Sequence, residues 1–350
     1  MKAQTTKKPS AQRGFGLVEL MVSTVLGMLV VLVFFQVFQL NEGQKRTTTA
    51  GNDAQESASY GIFLLGRDLS IGGNGIASSA TALDGCALLR PGPAVITAGA
   101  TDNAPDAVTV FFGGSGSLST PVALLGNATI PTNPNTYQVG SPVGFSPNDV
   151  VAAVQGTTCT LSTVNAGGIA VAPATGIATI THTPIAGNMA TTYSAVLASL
   201  VNLGQAASLG RIVYSVDPTH STLQRQDLLA ANGFANGPVS PVVSDVVNLK
   251  AQFGLDTDND GAVDTWQAAT GPWSSANLPV QPLAKLQQIR AVRVAVVARS
   301  VQYEKDPITP GPLLMFDGAV SMTLTADQQH YRYKILETIV PLRNAVWNAS

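Results

Sequence analysis

The chain opens on an apolar run from Phe15 to Leu40 in which Glu19 is the sole charge. At roughly 1.5 Å per residue this run makes a helix of about 39 Å, enough to cross a hydrocarbon core of about 30 Å. It is longer than the apolar core of a secretory signal, and Gln39-Leu40-Asn41-Glu42 follows it in place of a small-residue cleavage site. Helical periodicity continues beyond it. Ala54, Ala58, Ile62, Leu65 and Leu69 recur at steps of four, four, three and four, which marks one face of an amphipathic helix. Gly72-Gly73-Asn74-Gly75 ends that helix. Gly43, Thr47-Thr48-Thr49 and Gly51 are weak helix formers, so a kink or melted stretch is expected in the middle.

After Gly75 the apolar period falls to two. Val108, Val110 and Phe112 alternate within 107–112. Segments 149–154 and 159–164 flank Gly156-Thr157-Thr158, and 211–216 and 222–228 flank Asp217-Pro218-Thr219-His220, so each pair reads as a hairpin. Val247, Leu249, Ala251 and Phe253 share a face, as do Val292, Val294 and Val296, with Arg290 near the start of that strand and Arg293 opposite; the last strand-like segment is 331–342. A long N-terminal helix followed by a mostly antiparallel sheet is an α+β pattern.

Charge placement sharpens the reading of the N-terminus. Lys2, Lys7, Lys8 and Arg13 precede the apolar run without an acid among them, which keeps that segment on the cytoplasmic side. A simple single-pass anchor has no reason to hold a carboxylate inside its apolar stretch, where a charge is costly. Arg13-Gly14-Phe15-Gly16-Leu17-Val18-Glu19, with Glu at the fifth position after Gly14, resembles the signature of a type IV prepilin. The resemblance implies a leader of residues 1–14 cut between Gly14 and Phe15 by prepilin peptidase, and N-methylation of Phe15. It also implies that Glu19 pairs with the N-terminal amine, often of a neighbouring subunit, as an assembly carboxylate. The expected organisation is leader 1–14, membrane half of the helix 15–40, amphipathic half 41–71, and a β-rich body 72–350.

Composition narrows the function further. The chain has 350 residues, of which 11% are charged, with a net charge of −2, and no Lys or Arg lies between Arg90 and Arg211. Nucleic-acid binding needs clustered cations, and that stretch offers none. His182, His220 and His330 are scattered without ligand spacing, and no G-x-S-x-G, Walker loop, H-E-x-x-H or dinucleotide fingerprint occurs. A non-enzymatic protein is expected. Trp266, Trp273 and Trp347 are read as core or interface residues.

Two features carry candidate chemistry. Asp256-Thr257-Asp258-Asn259-Asp260-Gly261-Ala262-Val263-Asp264 has the spacing of a calcium loop, with oxygens from Asp256, Asp258 and Asp260, the Ala262 carbonyl and Asp264. Gln267 stands where an EF-hand has its bidentate Glu, and the flanks read as strands, so a structural Ca²⁺ in a β-hairpin loop is expected; the alternative is a solvated Asp-rich turn. Cys86 and Cys159 are the only cysteines. With the body in the periplasm they can form a disulfide, closing about 74 residues for roughly 4 kcal/mol on the chain-entropy argument; the alternative is two buried thiols.

The ends of the chain extend the resemblance. Residues 56–75, containing Ile62-Phe63-Leu64-Leu65-Gly66-Arg67-Asp68-Leu69, are similar to the helix end of PilW-type minor pilins, as are segments 288–300 and 331–344. The Ala/Gly/Thr-rich middle has no such likeness. This family implies a minor pilin that primes type IV pilus assembly within a tip-located complex. Its expected partners are other minor pilins, the major pilin, a tip adhesin and the inner membrane platform. The protein would start in the bacterial inner membrane, body in the periplasm, and end at the pilus tip. The alternatives are a J-type pseudopilin capping a type II secretion pseudopilus, and a peripheral binding module that merely uses a membrane anchor.

Overall fold

The computed structural model describes residues 16–75, 83, 86, 89, 92–114, 120–229 and 236–346. The chain divides into two units, Met1–Ala50 and Gly51–Ser350, and helix α1 (Leu17–Ile71) contributes to both. The residues expected to kink or melt, 43–51, are helical throughout. Two glycines cost only about 1 kcal/mol each, and a helix already nucleated on both sides absorbs that penalty.

In the first unit the apolar stretch Leu17–Gln39 has a mean hydropathy of 2.5, and none of it is buried. In the second unit, Ala54, Ala58, Leu65 and Leu69 are fully buried and Ile62 packs beside them, so the face marked by periodicity is the one used. The helix lies close to its sheet at Gly61, where a Cβ would stand 3.3 Å from Val296 Cγ1. It stops because Gly73 and Gly75 take positive φ (79° and 68°), a conformation open to glycine at little cost.

The strands follow in groups. First come β1 (Ala94–Thr97) and β2 (Ala107–Phe112). Next are β3 (Val122–Ala123), β4 (Ala128–Ile130), β5 (Asn135–Val139), β6 (Asp149–Gln155), β7 (Thr158–Val171), β8 (Ala178–Gly187), β9 (Thr191–Tyr193) and β10 (Ser199–Gln205). Then come β11 (Gly210–Asp217), β12 (Thr222–Asp227), β13 (Ser240–Ser244), β14 (Val246–Leu255), β15 (Thr265–Ala268) and β16 (Ile289–Arg299). The last are β17 (Leu313–Met315), β18 (Val320–Met322) and β19 (Tyr333–Pro341). Every ladder between these strands is antiparallel. The result is an α+β layout consistent with a pilin-like fold. Both expected hairpins form, as β6–β7 and β11–β12.

The topology explains the cation-free middle. β2 and β11 pair directly, with Val108 opposite Tyr214 and Val110 opposite Ile212, although nearly a hundred residues separate them in sequence. What lies between is an insertion with a six-stranded sheet of its own, ordered β3-β10-β6-β7-β8-β5. The host is a five-stranded sheet, β1-β2-β11-β12-β13, and a four-stranded sheet, β15-β14-β16-β19. One core joins these two sheets to α1: Leu65 and Leu69 from the helix, Val110 and Tyr214 from the first sheet, Phe253, Val292, Val294 and Val296 from the second. The opposite face of β16, through Ala295 and Val297, is covered by the β17–β18 hairpin with Met315 and Phe316. A strand buried on both faces needs an unbroken apolar run, which is what 291–298 supplies apart from Arg293.

Candidate functional site

Four local arrangements hold the chain's notable polar and reactive groups, and the sequence singles out three of them. The first is the start of α1. Glu19 lies in its first turn, followed by exposed Leu20, Met21, Val22, Val25 and Leu26 and, further on, Phe34, Phe35 and Phe38. Ser23 Oγ donates to Leu20 O at 3.0 Å and Thr24 Oγ1 to Met21 O at 2.8 Å, so both hydroxyls are satisfied inside the helix, as a nonpolar surrounding demands. A long apolar surface with one carboxylate near its head needs lipid or other helices around it. Gly14 and Phe15, the residues of the expected cleavage and methylation, lie outside the described residues, as does Trp347.

The second arrangement fixes the end of α1 to the body. Asp68 is buried, and its carboxylate meets Arg67 Nε at 2.7 Å, the Tyr214 hydroxyl at 2.7 Å and Arg225 Nε at 3.7 Å. Burial, reinforced by the Asp68 carboxylate, pushes the Tyr214 hydroxyl pKa up and keeps it a donor. Asn344, just beyond β19, donates to Gly72 O at 3.0 Å, so the far end of the chain closes over the same helix terminus.

The third is the disulfide. Cys86 and Cys159 are bonded, with Cα atoms 5.0 Å apart. Both sulfurs sit in a core with Phe111 of β2 and Val150, Ala152, Leu161 and Leu203 of the inserted sheet. The bond therefore ties the segment after α1 to the insertion.

The fourth is the acidic loop between β14 and β15. One carboxylate oxygen from each of Asp256, Asp258 and Asp260 lies within 4.8 Å of the others, with Asp256 buried and the other two exposed. The loop turns through positive φ at Asn259 (63°) and Gly261 (91°). Asp260 N donates to Asp258 Oδ1 at 3.2 Å and Ala262 N to Asp260 Oδ1 at 2.7 Å. Asp256 is anchored from beneath: Oδ2 accepts from Gly261 N at 3.0 Å and from Arg290 Nε at 2.9 Å. Burial acts to raise the Asp256 carboxyl pKa, but Arg290, the Gly261 amide and the nearby Asn259 amide outweigh it and leave the group below the usual carboxylate range. Asp264 stands apart from the three. Its Oδ2 accepts from Thr257 N at 2.6 Å and Thr257 Oγ1 at 2.7 Å, closing the loop at its base. Arg290 was not among the expected site residues. An arginine beside the first residue of a mostly apolar strand is the signal that points to a buried counter-charge.

Comparison with known proteins agrees with this anatomy at both ends. Residues 9–35 match the prokaryotic N-terminal methylation motif, and residues 213–344 match the family described as type IV pilus-assembly protein W, PilW. No curated protein and no solved structure matches the chain. The second match begins within β11 and runs past β19, taking in the acidic loop and Arg290, while the inserted sheet lies outside both matches. The methylation motif at the head of an exposed apolar helix and the PilW match in the host sheets together support reading this chain as a type IV prepilin-like protein of the PilW type.

Proposed function

We propose that this protein is a minor pilin that helps prime type IV pilus assembly as part of a tip-located complex of minor pilins. The observation that carries this reading is the pairing of two independent matches on one chain, the methylation motif over 9–35 and PilW over 213–344. In this role prepilin peptidase removes residues 1–14 and Phe15 becomes the methylated N-terminus. The inner membrane holds the apolar helix, with the body in the periplasm, until the subunit enters the filament. The exposed stretch 17–39 then joins the helical core of the pilus, and the sheets present edges and loops to other minor pilins, the major pilin and a tip adhesin. Work of this kind is packing, not catalysis. Among the described strands β19 is the edge of its sheet, which leaves it one backbone row for such contacts.

The test is a clean deletion scored for surface filaments and for export of secreted enzymes. Loss of pili with export intact, reversed by re-expression, is the expected result. Normal pili with enzymes trapped in the periplasm would overturn it in favour of a J-type pseudopilin. Intact mass of the protein from membranes separates both from a plain anchor, because only a processed prepilin loses residues 1–14 and gains a methyl group.

A further inference from the structure

We propose that the β14–β15 loop is a structural site for one Ca²⁺, held by the carboxylates of Asp256, Asp258 and Asp260 and anchored to the core through Arg290. Acidic residues at a turn are common without an ion, and clustering alone proves nothing. The informative group is Asp256. Its residue is wholly buried, and Oδ2 is engaged by Gly261 N and Arg290 Nε, but Oδ1 has no hydrogen-bond partner among the described residues. A buried carboxylate oxygen left unpaired is costly, so it marks a place where a partner is missing. Asp256 offers the cluster one oxygen, and Oδ1 is the one without a hydrogen bond.

Spacing and charge both fit one divalent ion. Two oxygens bound to the same Ca²⁺ at about 2.4 Å stand at most about 4.8 Å apart, so the three carboxylates need little movement to share it. Three carboxylates against the Arg290 guanidinium leave a charge of −2, which one divalent cation cancels. An irregular loop of side-chain and carbonyl oxygens suits Ca²⁺, which accepts six to eight oxygens in flexible geometry. Mg²⁺ demands a near-ideal octahedron and gives up water reluctantly. The Ala262 carbonyl and water would fill the remaining positions. Asp264, engaged by Thr257, keeps the loop closed and is not needed as a ligand.

The ion would act on architecture. β15 has four residues and, among the described strands, pairs only with β14, at the edge of its sheet. Asp258 and Asp260 at the exposed tip repel each other when no cation is present. Bound Ca²⁺ would join that tip to Asp256, and through Arg290 to β16 in the middle of the same sheet.

The test uses the full chain purified in detergent, with Ca²⁺ as the probe and EDTA and Mg²⁺ as controls. Titration calorimetry is expected to give about one site per chain with a Kd in the range of about 10⁻⁴–10⁻³ M, typical of extracellular calcium modules. Excess Ca²⁺ should raise the melting temperature by about 3 °C or more over EDTA. The double variant D258N/D260N changes exposed residues only, so it should fold and melt in EDTA much like the parent while losing both responses. No saturable binding by folded protein up to about 10 mM Ca²⁺ would overturn the proposal. So would binding that survives the double variant, and an equal response to Mg²⁺ would overturn the assignment to calcium.

Discussion

The Tyr214 hydroxyl donates a 2.7 Å hydrogen bond to Oδ2 of Asp68, joining the last turn of α1 to the middle of β11. Both residues are buried, and Asp68 sits on the helix between Leu65 and Leu69, which pack into the same core. Apolar contacts alone would let a helix slide along a sheet, because burial has no direction. A directional bond to one hydroxyl sets the register. The bond thereby helps fix the last turn of α1 on β11.

Tyr214→Phe keeps the ring and removes the bond. Hydrogen bonds to charged groups contribute about 1.5–3 kcal/mol, so denaturant unfolding of the full chain should show a loss in that range. Asp68→Ala should cost more, about 3–5 kcal/mol, because it leaves Tyr214 and the two arginines without their shared acceptor. Equal, negligible losses for both variants would show that the core alone positions the helix.

Asp68 illustrates what sequence reading missed. Arg67-Asp68 looks like a solvated ion pair near a helix end, since nothing local says that a tyrosine 146 residues later will reach it. Local features were readable: the helical face from Ala54 to Leu69, its stop at the glycines after Ile71, and the β6–β7 and β11–β12 hairpins, all set by contacts close in sequence. The pairing of β2 with β11 across an inserted sheet was not, because no pattern within either strand names its neighbour. Likewise the acidic spacing of Asp256, Asp258 and Asp260 was legible, whereas the withdrawal of Asp264 toward Thr257 depends on how the hairpin closes.

Removing the disulfide should loosen the junction between the host sheets and the insertion. The Cys86–Cys159 bond closes a long loop with a sequence separation of 73 residues. Cys86→Ser with Cys159→Ser is expected to lower stability by roughly 2–4 kcal/mol. Thermal melts with and without reductant check this: reductant should shift the parent toward the double variant and leave the variant unmoved.

Acid should weaken the inserted sheet through His182. Its ring is buried and stacked on Tyr137 at 3.8 Å, and neither ring nitrogen has a hydrogen-bond partner among the described residues. Desolvation depresses its pKa from 6.5 to about 4. In the unfolded chain the ring takes up a proton near pH 6.5, whereas the folded ring resists until about pH 4. Unfolding therefore binds a proton in this window, and stability falls as pH drops through it, by about 2 kcal/mol between pH 7 and pH 5. His182→Phe keeps the stack and removes the titration. Urea unfolding at the two pH values should show a smaller acid loss in this variant.

The sharpest test of the N-terminal reading is Glu19. A carboxylate near the head of a membrane helix is costly to bury, so replacing it should leave membrane insertion of residues 17–39 unharmed or improved. If Glu19 instead serves assembly by pairing with the methylated amine of a neighbouring subunit, its loss removes a charge pair that forms only in the filament. A partly buried pair worth at least about 1.4 kcal/mol changes the equilibrium tenfold. Glu19→Ala is therefore expected to reach the membrane at normal levels but to fall about tenfold or more in sheared filaments. Glu19→Gln should behave similarly, because the amide keeps the shape and loses the charge. Membrane fractionation alongside immunoblots of sheared filaments reads both quantities. Normal incorporation of Glu19→Ala would end the assembly role of this carboxylate, leaving only the anchor.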